Sequence, residues 1–319
     1  MRVIKVLAAA GSAALLAACG GGGMTGTAVP SGQSGAQRPA SSDRLTLLSP
    51  FTAVGSNGAI LRILPTREVL ANSPLGIGGG SGGPLLYGGG PVQTAPHLYV
   101  VFWGSAWNSA SGDPNGVMAP LKQFYGAIGG SKWLNSVSQY TQTGGAHVGN
   151  AGNIFLGSYV DTTSSPLPVP QDSDIAAEAV KAAAHFGDYS PSAAYIVALP
   201  HNVIPIGFRA QYCAWHSSTA APGGTIAFTN LPYMPDAGSS CGQGTVNKPG
   251  TLDGVSIVAG HEQGETEGDP QPSSGWIDAS GGENGDKCAW TGLQNNPSTA
   301  NFPTQPLWSN ANNGCVQSY

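Results

Sequence analysis

The sequence predicts one mixed domain, α/β or α+β, with a mixed sheet, a single helix that carries the chemistry and a loop-rich C-terminal part. Three observations lead there. Strand-like apolar runs alternate with segments of helical spacing through the middle of the chain. Glycine and proline are abundant, at 48 and 25 of 319 residues, yet 40% of the residues are hydrophobic, enough for a core. Seven of the seventeen acidic residues crowd between Glu262 and Asp286, in a chain of which only 9% is charged.

The N-terminus comes first. Arg2 and Lys5 make a short basic start, residues 6–18 are apolar, and Leu16-Ala17-Ala18-Cys19 closes the run with small residues before a cysteine. Residues 1–19 therefore read as a cleavable export signal, too short and Ala-rich for a membrane span. The last four resemble the lipobox of bacterial lipoproteins. That resemblance implies lipidation of Cys19, attachment to a membrane through that lipid, and an extracytoplasmic address in the cell envelope, on the periplasmic or cell-surface side. Residues 20–83 read as a flexible Gly/Ser-rich tether and N-terminal segment, with a short strand at Ala59-Ile60-Leu61-Arg62-Ile63-Leu64. The folded domain is expected over residues 84–319.

Within that domain, His97-Leu98-Tyr99-Val100-Val101-Phe102-Trp103 reads as a buried strand. Val117, Leu121, Phe124, Tyr125 and Ile128 stand at helical spacing. Asp172 or Ser173 is placed to cap a helix running to Phe186, with Ile175, Ala179 and Ala183 on one face. Residues 194–199 and 225–229 read as two more strands, and residues 251–267 as a helix with Leu252, Val255, Ile257 and Val258 at its apolar positions. After Pro270 mostly loops are expected. Trp103, Trp107, Trp133 and Tyr140 are assigned to the core.

Four cysteines remain beyond Cys19: Cys213, Cys241, Cys288 and Cys315. An even number in an exported chain reads as two disulfides, and sequential pairing is favoured because each bridge closes a modest loop rich in Gly and Pro. Zinc binding by these cysteines is the weaker alternative, since no C-x-x-C pair exists. The net charge of −5 offers no basic patch for nucleic acid. No segment after the signal approaches the roughly 20 apolar residues of a membrane helix. Gly79-Gly80-Ser81-Gly82-Gly83 matches G-x-S-x-G in form only, because the strand and helix that such an elbow needs are missing.

The acidic crowding starts on the 251–267 helix, in His261-Glu262-Gln263-Gly264-Glu265. His261 and Glu265, four apart, share one helix face, and Glu262 projects about 100° around the axis. This is the H-E-x-x-H zinc helix with its second histidine replaced by glutamate, and it makes the expected fold zincin-like. His261 and Glu265 would hold the metal, while Glu262 as general base would take a proton from its water. Glu283 is the candidate third ligand, with Asp286 holding the free nitrogen of His261, or the two roles are exchanged. Zinc is the expected ion. Calcium suits the carboxylates, but His261 argues for zinc or another transition metal.

The order of motifs adds a likeness. Leu86-Tyr87-Gly88-Gly89-Gly90-Pro91-Val92, Tyr99-Val100-Val101-Phe102-Trp103-Gly104, Cys213-Ala214-Trp215-His216, His261-Glu262-x-x-Glu265, Trp276, and Glu283-Asn284-Gly285-Asp286-Lys287-Cys288 together resemble the phosphate-induced protein / EXORDIUM family and its bacterial zinc-peptidase relatives. The resemblance spans most of residues 86–315 and implies an exported protein acting on peptides or proteins. Two departures stand out: Gln263-Gly264 replaces an apolar-Ala pair, and Gly268 stands where threonine precedes Asp-Pro. Gly264 costs about 1 kcal/mol of helix stability relative to Ala, and leaves space for a substrate or another backbone.

One histidine and two carboxylates would neutralise the ion's charge and weaken its pull on water. A slow or specialised hydrolase is expected, or one that recruits His216 as an extra ligand or as a donor to the transition-state oxyanion. A structural histidine beside the Cys213 bridge is the plainer account of His216. Glu267, Asp269 and Asp278 are expected at the surface or in turns. The rival class is a non-catalytic surface binding or signalling protein on the same scaffold.

Overall fold

The computed structural model describes residues 44–76 and 83–319. The expected signal, Cys19, most of the tether and residues 79–82 of the glycine run lie outside the described residues.

In chain order the elements are β1 (Thr46–Ser49), β2 (Thr52–Val54), β3 (Ile60–Pro65), α1 (Arg67–Ala71), β4 (Leu86–Tyr87), β5 (His97–Trp103), α2 (Met118–Ile128), β6 (Phe155–Asp161), α3 (Asp172–Phe186), β7 (Ala193–Ala198), β8 (Tyr212–Ala221), β9 (Gly224–Leu231), α4 (Asp253–Gly268) and β10 (Trp276–Ile277). Eight strands form one mixed sheet in the order β1-β2-β3-β8-β9-β7-β5-β6. The half formed by β9, β7, β5 and β6 is parallel, and the half from β1 to β9 is antiparallel. The parallel half needs crossovers, which α2 and α3 supply between β5 and β6 and between β6 and β7. Its inner strands β5 and β7 are buried on both faces and so read as unbroken apolar runs. The mixed α/β class expected from the sequence is present.

The expected boundary at residue 84 is overturned. Strands β1, β2 and β3 belong to the main sheet, and β3 pairs with β8 through Arg62↔His216, Ile63↔Trp215 and Leu64↔Ala214. Composition misled here: turn residues between short strands look like linker, although Ile63 and Leu64 are fully buried. Strands β6 and β8 were not anticipated. β8 hides its period because Tyr212 to Ser217 is buried on both faces while its second half is Ser, Thr and Ala.

Helix α3 begins one residue earlier than a cap at Asp172 would have it, with Gln171 and Asp174 forming a reciprocal capping box and Gly187 ending it in the left-handed region. Helix α4 departs most from expectation. All sixteen of its residues are buried, although its second half is mostly polar. It packs on β8, β9 and β3, on α2, and on the short strand Phe302–Thr304. A helix enclosed all round is normally apolar all round, so its polar side chains need internal partners. The disulfides Cys213–Cys241 and Cys288–Cys315 join the pairs favoured from the sequence. They fit an oxidising, extracytoplasmic compartment. Among the described residues no helix is long and apolar enough to cross a membrane.

Candidate metal centre

Three parts of the chain meet at one buried point. Helix α4 brings His261, Glu262 and Glu265, strand β8 brings His216, and the loop after β10 brings Glu283 and Asp286. None of these six side chains is more than 1% exposed. The sequence named all six, and the fold brings them together.

Helical geometry sets the first contact, placing His261 Nε2 3.1 Å from Glu265 Oε1. Asp286 Oδ1 lies 3.6 Å from the same nitrogen. Bonds of 2.0–2.2 Å to a tetrahedral ion put neighbouring ligand atoms about 3.3–3.6 Å apart, close to both separations from the His261 nitrogen. His216 belongs to an adjoining group: its Nδ1 is 3.2 Å from Glu262 Oε2 and 3.7 Å from Glu265 Oε2. Its Nε2 faces Glu283 Oε1 at 3.7 Å. Neither arrangement expected for the loop is seen whole: Asp286 stands beside His261 Nε2, Glu283 faces His216, and Gln305, not a carboxylate, meets the other His261 nitrogen. A histidine that merely packs on the Cys213 bridge would not point both ring nitrogens at carboxylates.

Several of these atoms make no hydrogen bond: His261 Nε2, Glu262 Oε1, Glu265 Oε2, Asp286 Oδ1 and both oxygens of Glu283. Buried polar atoms are rarely left so, and carboxylates are the costliest to leave. The cluster relieves its charge by sharing protons unevenly. Burial, followed by the charge of Glu283, holds the Glu265 carboxyl well above its usual range. Burial and then Glu265 do the same to Asp286. At Glu283 burial acts upward but is outweighed by His216 and Arg62, so this carboxyl sits below its usual value. Burial alone would lower the His216 imidazole. Glu283 and Glu262 win, and it stands well above its usual value. Such a cluster holds protons where a cation would otherwise balance the carboxylates.

Two participants escaped the sequence reading. Arg62, on β3, lies 3.6 Å from Glu283 through Nε and donates from Nη1 to Gly281 O at 2.6 Å and to Thr52 Oγ1 at 3.0 Å. A lone charge inside the apolar run of β3 was a legible signal, since a buried arginine requires a buried partner. Gln305 gave no signal. Its Nε2 donates to Gly285 O at 2.8 Å and stands 3.0 Å from His261 Nδ1. In that orientation Nδ1 accepts and Nε2 carries the ring proton, which faces Glu265. Ligation through Nε2 requires the opposite tautomer, reached when the Gln305 amide turns and offers its buried, unbonded Oε1 to Nδ1–H.

Glycines let the pieces approach. A Cβ on Gly285 would stand 2.8 Å from both Glu265 Oε1 and His261 Nδ1. On Gly264 it would meet Leu307 Cδ1 at 2.8 Å and Asn284 Oδ1 at 3.2 Å. The space at Gly264 is thus filled by Leu307 and by Asn284, which donates to Gly264 O, and not by a substrate.

The three acids expected at the surface are also buried, and each has a structural reason. Asp269 ends α4 by accepting from the backbone of Ser273, Ser274 and Gly275. Asp278 accepts from Ser280 and Gly282 and pairs with buried Lys287 at 3.2 Å. Glu267 accepts from Gln263 at 2.9 Å, and burial pushes its carboxyl up to about 8.

No protein family model matches the chain, and no match was found among curated proteins or solved structures. The likeness to the EXORDIUM family therefore rests on the motifs alone.

Proposed function

We propose that this chain is an exported, membrane-anchored, metal-dependent hydrolase of zincin-like design, acting on peptide bonds, with zinc held by His261, Glu265 and Asp286. One observation carries the reading: on the H-E-x-x-E helix, His261 Nε2 has Glu265 Oε1 at 3.1 Å and Asp286 Oδ1 at 3.6 Å, all enclosed. An imidazole in the set favours zinc over calcium. When bound, zinc would supply Lewis acidity toward water and a carbonyl oxygen, weakened by the two carboxylates in its ligand set. Glu262 offers an unbonded Oε1 to hold the proton. His216, 3.2 Å from Glu262, supplies a donor for charge that develops on a carbonyl oxygen. Gln305 orients His261, and Arg62 holds Glu283 ionised beside His216. The lipobox-like Leu16-Ala17-Ala18-Cys19 supports attachment through lipid on Cys19.

A specific observation favours a second reading. The six side chains converge, but not on an open cleft: none is more than 1% exposed. A non-catalytic exported binding or signalling protein, braced internally by the ion, accounts for that enclosure directly. Metal analysis of the soluble chain, purified without stripping, tests what the two readings share. Stoichiometric zinc is expected, and its loss in His261→Ala. Protein that carries no metal overturns both. Peptide-library turnover separates them: hydrolysis abolished in Glu262→Gln supports the enzyme, and no turnover by metal-loaded wild type overturns it.

A further inference from the structure

We infer that the centre is built for two divalent ions, with Glu265 as the bridging carboxylate; this rests on the metal reading above and, with the second ion bound, gives Glu262 and His216 ligand roles in place of the base and donor roles assigned for a single ion. The two oxygens of Glu265 face different ligand groups. Oε1 belongs with His261 and Asp286, at 3.1 Å from the His261 ring. Oε2 belongs with His216 and Glu262, at 3.7 Å from His216 Nδ1, and has no hydrogen bond although the residue is buried. Glu262 Oε2, 3.2 Å from the same Nδ1, completes the second trio. Each trio has one imidazole and carboxylate oxygens, and the span of each suits a first-row divalent ion.

The surroundings of His216 agree. Ligation through Nδ1 needs Nε2 protonated, and Nε2 faces Glu283 Oε1 at 3.7 Å. Glu283 in turn faces Arg62 at 3.6 Å. At these distances Glu283 supplies a negative charge beside Nε2 without a hydrogen bond to it. A carboxylate that bridges through both oxygens holds ions about 3.5–4 Å apart, the spacing of two-metal hydrolytic sites.

The test uses the soluble chain refolded with excess Zn(II), dialysed, and assayed for metal per chain. Two equivalents are expected in wild type, and one in His216→Ala and in Glu262→Gln. Saturation at one equivalent overturns the two-ion inference and leaves the single-zinc reading standing; no bound metal overturns both. Loading with Mn(II) gives a second readout that needs no variant. Exchange-coupled electron paramagnetic resonance is expected at saturation, and an isolated-ion spectrum at full loading overturns the inference. A Glu262→Gln chain that folds and still holds as much metal as wild type also overturns it.

Discussion

Arg62 Nε stands 3.6 Å from Glu283 Oε2, tying a strand of the N-terminal segment to the loop that follows the candidate metal helix. The arginine side chain is 2% exposed, and its charge is held by Glu283 and the neighbouring carboxylates against the effect of burial. Arg62→Met would leave Glu283 enclosed with one of its two counter-charges, His216 being the other. The expected loss is about 3–5 kcal/mol, as for breaking other buried pairs. Urea unfolding measures it, and a loss below 1 kcal/mol would show that Glu283 finds another partner.

The same strand yields a truncation prediction. A chain starting at residue 84 lacks β1, β2 and β3 and leaves β8 as an exposed edge beside β9. It is expected to aggregate, whereas a chain starting at residue 44 unfolds cooperatively. Comparable soluble yields of the two would contradict the placement of β3 inside the fold.

On the proposed metal reading, Gln305 would act on the ion through His261. Gln305→Leu removes the amide at Nδ1 and frees the ring tautomer. Metal affinity should fall about 10–100-fold, the usual effect of losing an outer partner. Competition with a chelator reads this directly, and an unchanged constant removes Gln305 from the centre.

Gly285 allows the loop to lie against α4. Gly285→Ala places a methyl 2.8 Å from Glu265 Oε1 and His261 Nδ1. Overpacking of this kind costs about 1–3 kcal/mol, and here it should also weaken metal binding. Calorimetry of the two loaded proteins checks both effects; a variant of wild-type stability and affinity would mean the loop shifts without cost.

Glu178 gives the pH dependence. Burial, then the charge of Asp161, raises its carboxyl from the ordinary 4.5 to about 8, with Lys181 opposing. A raised carboxyl binds its proton more tightly in the folded state. Its contribution is therefore complete below about pH 4.5 and lost as pH rises through about 8. Glu178→Gln should flatten stability across that window and gain on the order of 1–2 kcal/mol at its upper end, after allowance for solvent screening beside half-exposed Lys181. Thermal midpoints at several pH values read it, and parallel curves for the two proteins would refute it.

How much of this was legible differs by element. β5 and β7 announced themselves because parallel strands buried on both faces are continuous apolar runs. Helix α4 was placed to within two residues, and its spacing put His261 and Glu265 on one face. Long-range pairing left no comparable trace. Nothing local says that Arg62 lies opposite His216 across a strand pair, or that Gln305 returns to His261. The burial of Glu267, Asp269 and Asp278 was misread for a related reason. Acids near a proline in a polar stretch usually face water, and here a cover made of distant loops encloses them.

The enclosure of His261 and Glu265 has a kinetic consequence. With both side chains at 1% exposure or less, an ion does not reach them by diffusing along a groove. It enters while the loop after β10 is still undocked, or later through local unfolding of that loop. Exchange of the ion would then proceed at the rate of that opening, insensitive to chelator concentration once the chelator is in excess. On this account the protein is loaded during maturation and does not sample the metal content of its surroundings afterwards.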